Sequence, residues 1–338
     1  MEAYAGIDLH SSNSYIGIID QEDRRLYGKR LPNSINEIVA ALDPFKENLE
    51  AVVVESTYNW YWLVDGLQEE GYKVHLANPS AIKQYEGLKH TDDKSDSFWL
   101  AHMRRLNILP EGYIYPKEER PVRDLLRRRL LFVRQRTSQI LSLQSAIARN
   151  LSLRMSGRAI KKLKEGDAED LFDSPALVLT AKSQLGVIQF LTQTIRTIEK
   201  ALLSRIKLRK EFRSLKTLPG IGDILGLTIM LEVGDIGRFP KVGNYSSYCR
   251  CVNSKKLSNG KKKGENNRKN GNRYLSWAYV EAAHFAVRFY QDAQRFYQRK
   301  AAKTNTIVAI KALSNKLAKA SYYVMRDQVP YDPSKLFG

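Results

Sequence analysis

An α/β domain followed by a mainly helical remainder is the fold class predicted for this chain of 338 residues. Two observations predict it. Over the first hundred residues short apolar strands alternate with amphipathic helices. Beyond them, basic residues interleave with Leu and Ile over 120–150, and apolar residues repeat every three or four positions over 176–212. Charge divides the chain at the same place: residues 1–100 hold 9 Lys/Arg against 17 Asp/Glu, and the rest hold 46 against 19.

Residues 3–7, 14–19 and 25–31 read as three short strands joined by polar turns. A helix over 34–45 follows from Ile35, Ile38, Val39 and Leu42 on one face and a Ser34 cap. Residues 51–54 are a continuous apolar strand, 59–70 a helix with Trp60, Leu63, Val64 and Leu67 on one face, and 72–76 a further strand. The sum is βββαβαβ followed by a helix, the RNase H topology, in which the first and fourth strands lie side by side.

Four acids fall at telling places in that topology. YAGID (residues 4–8) ends the first strand in Asp8, and AVVVE (51–55) ends the fourth in Glu55. DKSD (93–96) spaces Asp93 and Asp96 by i, i+3 at a helix start, which turns both carboxylates the same way. Asp92 is the alternative to Asp93, since it forms an i, i+4 pair with Asp96. Collected carboxylates suit a hard cation such as Mg²⁺, which takes oxygen ligands and can stabilise the attacking and leaving oxygens of a phosphodiester displacement. An acidic head of this kind on a strongly basic body fits an enzyme that holds a polyanion.

Several classes are excluded by composition. With 43% hydrophobic residues the chain is globular, and no apolar run approaches the ~20 residues that span a bilayer. Nothing at the amino terminus resembles a signal peptide, which predicts a cytoplasmic protein. Cys249 and Cys251, the only cysteines, lie too close for an unstrained disulfide and lack the partners of a zinc site, so both read as reduced thiols.

The helix over 120–150 carries Arg123, Arg127, Arg128, Arg129, Arg134 and Arg136, a density that predicts a phosphate backbone as partner for Arg123, Arg127, Arg128 and Arg134. The helix over 176–212 repeats Leu185, Ile188, Leu191, Ile195, Ile198, Leu202 and Ile206, a seam that serves a helical hairpin within the chain or a dimer. Residues 157–173 read as a turn between them. LPGIG (218–222) precedes a helix over 223–232, and Gly220 and Gly222 would expose backbone N–H groups toward a phosphate or form a plain tight turn.

Residues 253–273 hold eight Lys/Arg against one Glu, with many Gly and Asn and no apolar period, and are predicted as a mobile loop. Lys256, Lys261, Lys262, Lys263, Arg268 and Arg273 are its candidate nucleic-acid contacts. Ser254 and Ser258 lie among these cations, which would favour an alkoxide attacking a phosphodiester.

Together, GID ending at Asp8, VE at Glu55, DKSD at 93–96, LPGIG at 218–222, FP at 239–240, SNGK at 258–261 and KNGNRYL at 269–275 resemble the DEDD transposases of the insertion-sequence one-ten family, relatives of Piv-type DNA invertases. The resemblance covers nearly the whole chain, including AIKALSNKLA at 309–318 and VPYD at 329–332. It implies an RuvC-like domain at 1–118, a basic helical coiled-coil region at 119–212, and a carboxy-terminal transposase domain with a catalytic serine at 213–338. It further implies recombination of donor and target DNA under a structured noncoding RNA encoded by the element. The serine carries over to Ser258, before a Gly-Lys pair; Leu257 and Asn259 depart from the family's usual Ser and Gly, which keeps Ser254 as the alternative. The expected enzyme is a homo-oligomer using Mg²⁺; because the acids and the serine loop lie far apart in sequence, its site is formed either within one subunit or by the acids of one and the serine loop of another. A resolvase that only hydrolyses junction DNA, a nonenzymatic RNA-binding protein and an actin-like ATPase are the competing readings. The last lacks a Gly-rich phosphate turn, having His10 and two serines in its place.

Overall fold

The computed structural model describes residues 2–82, 92–206, 209–252, 256–264, 270–332 and 334–337. The chain divides into two compact units: Met1–Lys117 with Ser254–Asn270, and Glu118–Asn253 with Gly271–Gly338.

The first unit is built on a five-stranded sheet. Its strands are β1 (Ala3–Leu9), β2 (Asn13–Asp20), β3 (Arg25–Pro32), β4 (Leu49–Glu55) and β5 (Val74–Ala77), in the order β3-β2-β1-β4-β5. β1–β2 and β2–β3 pair antiparallel, while β1–β4 and β4–β5 pair parallel. Helices α1 (Ile35–Leu42) and α2 (Tyr61–Glu69) connect the parallel strands, and α3 (Asp93–Arg105) follows. α1 stops earlier than its apolar period suggests, because Pro44 continues the chain as a 3₁₀ turn over Asp43–Asn48.

Strand alternation sorts the side chains between two faces. Ala3, Ala5, Ile7 and Leu9 of β1 join Ile16, Ile18, Val52 and Val54 in the core under α1 and α2. Gly6, Val53 and the carboxylates of Asp8 and Glu55 belong to the opposite face, which α3 covers through Leu100 and Met103. Gly6, Gly17 and Gly28 stand in one row, opposite one another across β1, β2 and β3. A Cβ on Gly6 would lie 2.0 Å from the Ser97 carbonyl oxygen, and one on Gly17 would lie 2.8 Å from the Phe98 ring. The row is a groove in which α3 rests.

Part of the predicted mobile loop is instead a hairpin, β6 (Lys256–Ser258) and β7 (Lys261–Gly264), grouped with this unit. Asn259 and Gly260 have φ of 49° and 70°, the left-handed pair that a two-residue hairpin turn requires. The Asn-Gly dipeptide was the available signal.

The second unit is helical. α4 (Arg120–Leu151) and α7 (Pro175–Ile206) pack antiparallel, with Arg129 bonded to Glu199, Arg136 to Thr192 and Gln184 to Ser142. The seam residues Leu185, Ile188, Leu191, Ile195, Ile198 and Leu202 are buried within the chain, as an internal helical hairpin requires. The connection contains two short helices, α5 (Gly157–Ile160) and α6 (Asp167–Leu171), whose Ile160 and Ala168 close that end of the core. α8 (Lys210–Leu215), α9 (Asp223–Val233), α10 (Val242–Tyr248), α11 (Arg273–Phe289), α12 (Gln291–Lys303), α13 (Thr306–Asp327) and α14 (Ser334–Phe337) surround a second core containing Leu227, Ile229, Tyr279 and Leu317. Cys249 and Cys251 are free and buried there. No described helix is long and apolar enough to cross a membrane.

Candidate active site

Asp8, one residue before the end of β1, and Glu55, the last residue of β4, lie one step beyond the registered pair Ile7 and Val54, so their side chains emerge together on the α3 face. Asp8 is buried. Burial raises Asp8 above the usual carboxylate range, although the His10 charge and a hydrogen bond with Glu55 oppose it. Burial, then the Asp8 charge, push Glu55 up to about 7. Asp96, in the first turn of α3, is pushed up to about 6 by burial and then by Asp8, Asp92 and Asp93.

Asp92 and Asp93 have different tasks. Asp92 caps α3, its Oδ1 accepting from the Ser95 N–H at 2.7 Å. Asp93 reaches the cluster through His10, whose Nε2 lies 3.1 Å from Asp93 Oδ1 and 3.2 Å from Asp8 Oδ2. Arg30 Nη2 donates to Asp93 Oδ2 at 2.5 Å. Partial burial works against it, but the bonds from His10 and Arg30 hold Asp93 below the usual carboxylate range.

Spacing alone did not reveal the residues that hold this end of the sheet. Asn33 Nδ2 and Asn59 Nδ2 both donate to the His10 carbonyl, at 2.9 and 3.0 Å, and Ser14 Oγ donates to Asn33 Oδ1 at 2.7 Å. The β1–β2 turn is thereby tied to the segments entering α1 and α2. Only a contact between distant segments makes these asparagines visible.

The donor set fits a hard divalent cation. Oxygens of Asp8 and Asp93 lie with a His10 nitrogen inside 4.8 Å of one another, and the neighbouring carboxyls of Glu55 and Asp96 are driven toward neutrality by burial and then by the nearby acids, whose repulsion a cation would relieve.

Ser258 is exposed at the end of β6, opposite Lys261 across the turn, with Lys263 exposed further along β7. It shares the compact unit of the acids, and among the described residues no hydrogen bond joins it to them. Lys256 and Lys262 lie in the two strands, whereas Ser254 and Arg268 fall outside the described residues.

In the helical unit several residues expected to contact phosphate have partners within the chain or are buried. Arg127 turns inward, donating from Nε and Nη2 to the buried Glu232 carboxylate at 2.6 and 2.7 Å. Asn272 Nδ2 donates to the same carboxylate at 2.7 Å while its Oδ1 caps α11. Arg123 is buried as well. An ion pair between segments so distant in sequence overrides the pattern of a solvated basic face. Arg128, Arg134 and Arg273 are exposed, as phosphate contacts must be. Gly220, at φ +77°, allows close packing: a Cβ there would lie 2.1 Å from the Ala282 carbonyl oxygen of α11. Gly222 is the open N-cap of α9.

The fold defines the class: an RuvC-like DEDD domain of RNase H topology joined to a helical domain. Residues 5–149 match a transposase family model of the DEDD, IS110 type, and residues 213–298 match the Transposase IS116/IS110/IS902 family. No curated protein matches the chain. The two matches name the same family, and the chain belongs to the IS110 family of transposases, DNA-cleaving and rejoining enzymes.

Proposed function

We propose that this transposase cuts and rejoins DNA through a covalent phosphoserine, with Ser258 as nucleophile. The observation that carries the reading is the crowding at the strand ends, where Asp8, Glu55, Asp93 and Asp96 converge and Glu55 and Asp96 are displaced toward neutral pH. These four would hold a divalent cation such as Mg²⁺, which would neutralise charge on the phosphate under attack. Ser258 stands at the tip of a basic hairpin in the same compact unit, free of any described bond to the acids.

The chemistry is two balanced exchanges. Ser258 Oγ loses its proton and bonds to phosphorus, while the phosphorus–oxygen bond of the DNA breaks and the leaving oxygen gains a proton. A DNA hydroxyl from the second duplex then attacks the phosphoserine, and Oγ departs and is reprotonated. Bond energy is conserved, so no outside source is needed. Joining donor and target DNA requires several strand ends to be handled together, which supports a homo-oligomer, and the cytoplasm is the compartment of the reaction.

Target choice belongs to a structured noncoding guide RNA, with sequence read by base pairing and held by the basic body of the protein. The excess of 46 Lys/Arg over 19 Asp/Glu beyond residue 100 supports a nucleic-acid partner of this kind. Ser258→Ala tests the nucleophile: covalent protein–DNA adducts are lost and RNA binding stays. Adducts persisting in that variant overturn the assignment. For the guide, the RNA that copurifies with the protein is sequenced. One element-encoded species is expected, and random cellular RNA would remove the guidance.

A further inference from the structure

A cavity of about 1260 Å³ in the helical unit runs along α13 and the segment that follows it. Ile307, Lys311, Lys319 and Tyr323 fall on one i, i+4 row of that helix and line the groove, with Lys300 contributed by α12. Lys300, Lys311 and Lys319 form no ion pair among the described residues. The floor is exposed and apolar: Ile307 is 74% accessible, Tyr323 44% and Val329 48%. Two carboxylates also line the groove, and one of them, Asp327, is held by Arg326.

Unpaired cations and exposed apolar surface in one groove call for a ligand that carries both anions and flat apolar faces. Duplex DNA offers phosphates but keeps its bases stacked inside. An unpaired nucleic-acid strand offers a phosphate and a base face at every step, and single-stranded loops of a folded RNA are the usual form in which splayed bases meet protein. Lys311 and Lys319 lie about 12 Å apart along the helix axis, so they would meet different phosphates of one strand. Tyr323 lies one turn beyond Lys319; it is 44% accessible, with Arg326 5.0 Å above its ring centroid, and such a ring would offer a base a stacking surface beside a cation.

We propose that this groove binds an unpaired segment of RNA, its bases on Tyr323 and the apolar floor and its phosphates on Lys300, Lys311 and Lys319. The inference rests on the RNA partnership proposed above and assigns it a place. None of these residues belongs to the acid cluster or to the serine hairpin.

Binding of a labelled twelve-nucleotide oligouridine and of a twelve-base-pair DNA duplex to the full-length protein tests it. Lys311→Ala with Lys319→Ala should weaken oligouridine binding by tenfold or more, and lower the slope of log affinity against log salt by about 1.4. Tyr323→Ala should weaken it about tenfold with the slope unchanged, and Tyr323→Phe should restore it. Duplex binding stays as in the parent in all three. Unchanged oligouridine affinity, or an equal loss for the duplex, overturns the proposal. The guidance reading fails separately: if only random RNA copurifies while the groove variants lose oligouridine, the groove stands and guidance falls. A specific RNA retained equally by Tyr323→Ala and the parent, with oligouridine affinity also equal, leaves guidance standing and removes the groove.

Discussion

Gly6 and Gly17 stand opposite each other on β1 and β2, and α3 lies in the space their missing side chains leave. The atom a Gly6 side chain would meet is a backbone oxygen, so the helix must move as a body. Gly6→Ala should therefore cost about 1–3 kcal/mol of stability by overpacking. It should also lower DNA cleavage about a hundredfold, because Asp93 and Asp96 ride on that helix. Gly166→Ala, which meets open space, is the control for denaturation and cleavage assays. Equal behaviour of the two variants would remove the groove's role.

Crowded acids make the metal-free protein sensitive to alkali. Glu55 has a folded pKa of about 7 and Asp96 of about 6, both above their unfolded values, so the folded state holds protons that the unfolded state gives up. The penalty is absent below about pH 4, grows as pH rises through the unfolded and then the folded values, and is complete above about pH 7. Without metal, Tm should fall between pH 5 and 8. Glu55→Gln should flatten that profile and raise Tm at pH 8 while abolishing cleavage.

Mg²⁺ affinity should rise over the same interval, with protons released on binding. Calorimetry in buffers of different ionisation enthalpy reads that release directly. A pH-independent affinity would mean that Glu55 and Asp96 are not ligands.

The arginines of α4 divide into two kinds. Removing Arg127 leaves the buried Glu232 with Asn272 as its side-chain partner among the described residues, and should cost about 3–5 kcal/mol in denaturant unfolding with little change in the salt dependence of nucleic-acid binding. Arg128→Ala and Arg134→Ala should leave stability nearly intact. Each should lower the salt slope by about 1 and weaken binding to all sequences alike.

At the serine hairpin the turn sets the geometry. Gly260→Val places a β-branched residue at φ +70° and should cost the hairpin about 1–2 kcal/mol. Adduct formation should slow while DNA affinity is kept. An unchanged adduct rate would show that the tight turn is dispensable.

The sheet order and the convergence of Asp8 and Glu55 were legible in the sequence because strand alternation and parallel neighbours follow from local patterns. β1 nevertheless runs through Asp8 to Leu9, past the end expected from its apolar residues, because Leu9 returns to the core. The helix predicted over 176–212 is two, α7 ending at Ile206 and α8 beginning at Lys210. The hairpin was hidden by composition, since its lysines and glycines carry no apolar period and only Asn259 and Gly260 mark the turn. The roles of Arg127, His10 and Asn59 lie in contacts with residues far along the chain, which no local spacing encodes. The glycine row belongs to the same class: each glycine is ordinary alone, and only the register aligns them.

The chain enters the sheet-bearing unit twice, leaving after Lys117 and returning for Ser254–Asn270. A protein that ends between Asp96 and that return has all four acids and no Ser258. Truncated products, proteolytic stubs and half-made chains on the ribosome would thus carry the cation site without the nucleophile proposed for it. Joining DNA becomes chemically available only when synthesis has passed through most of the helical unit. The threading sets an order in time on the two halves of the proposed site, the acids first and the serine last.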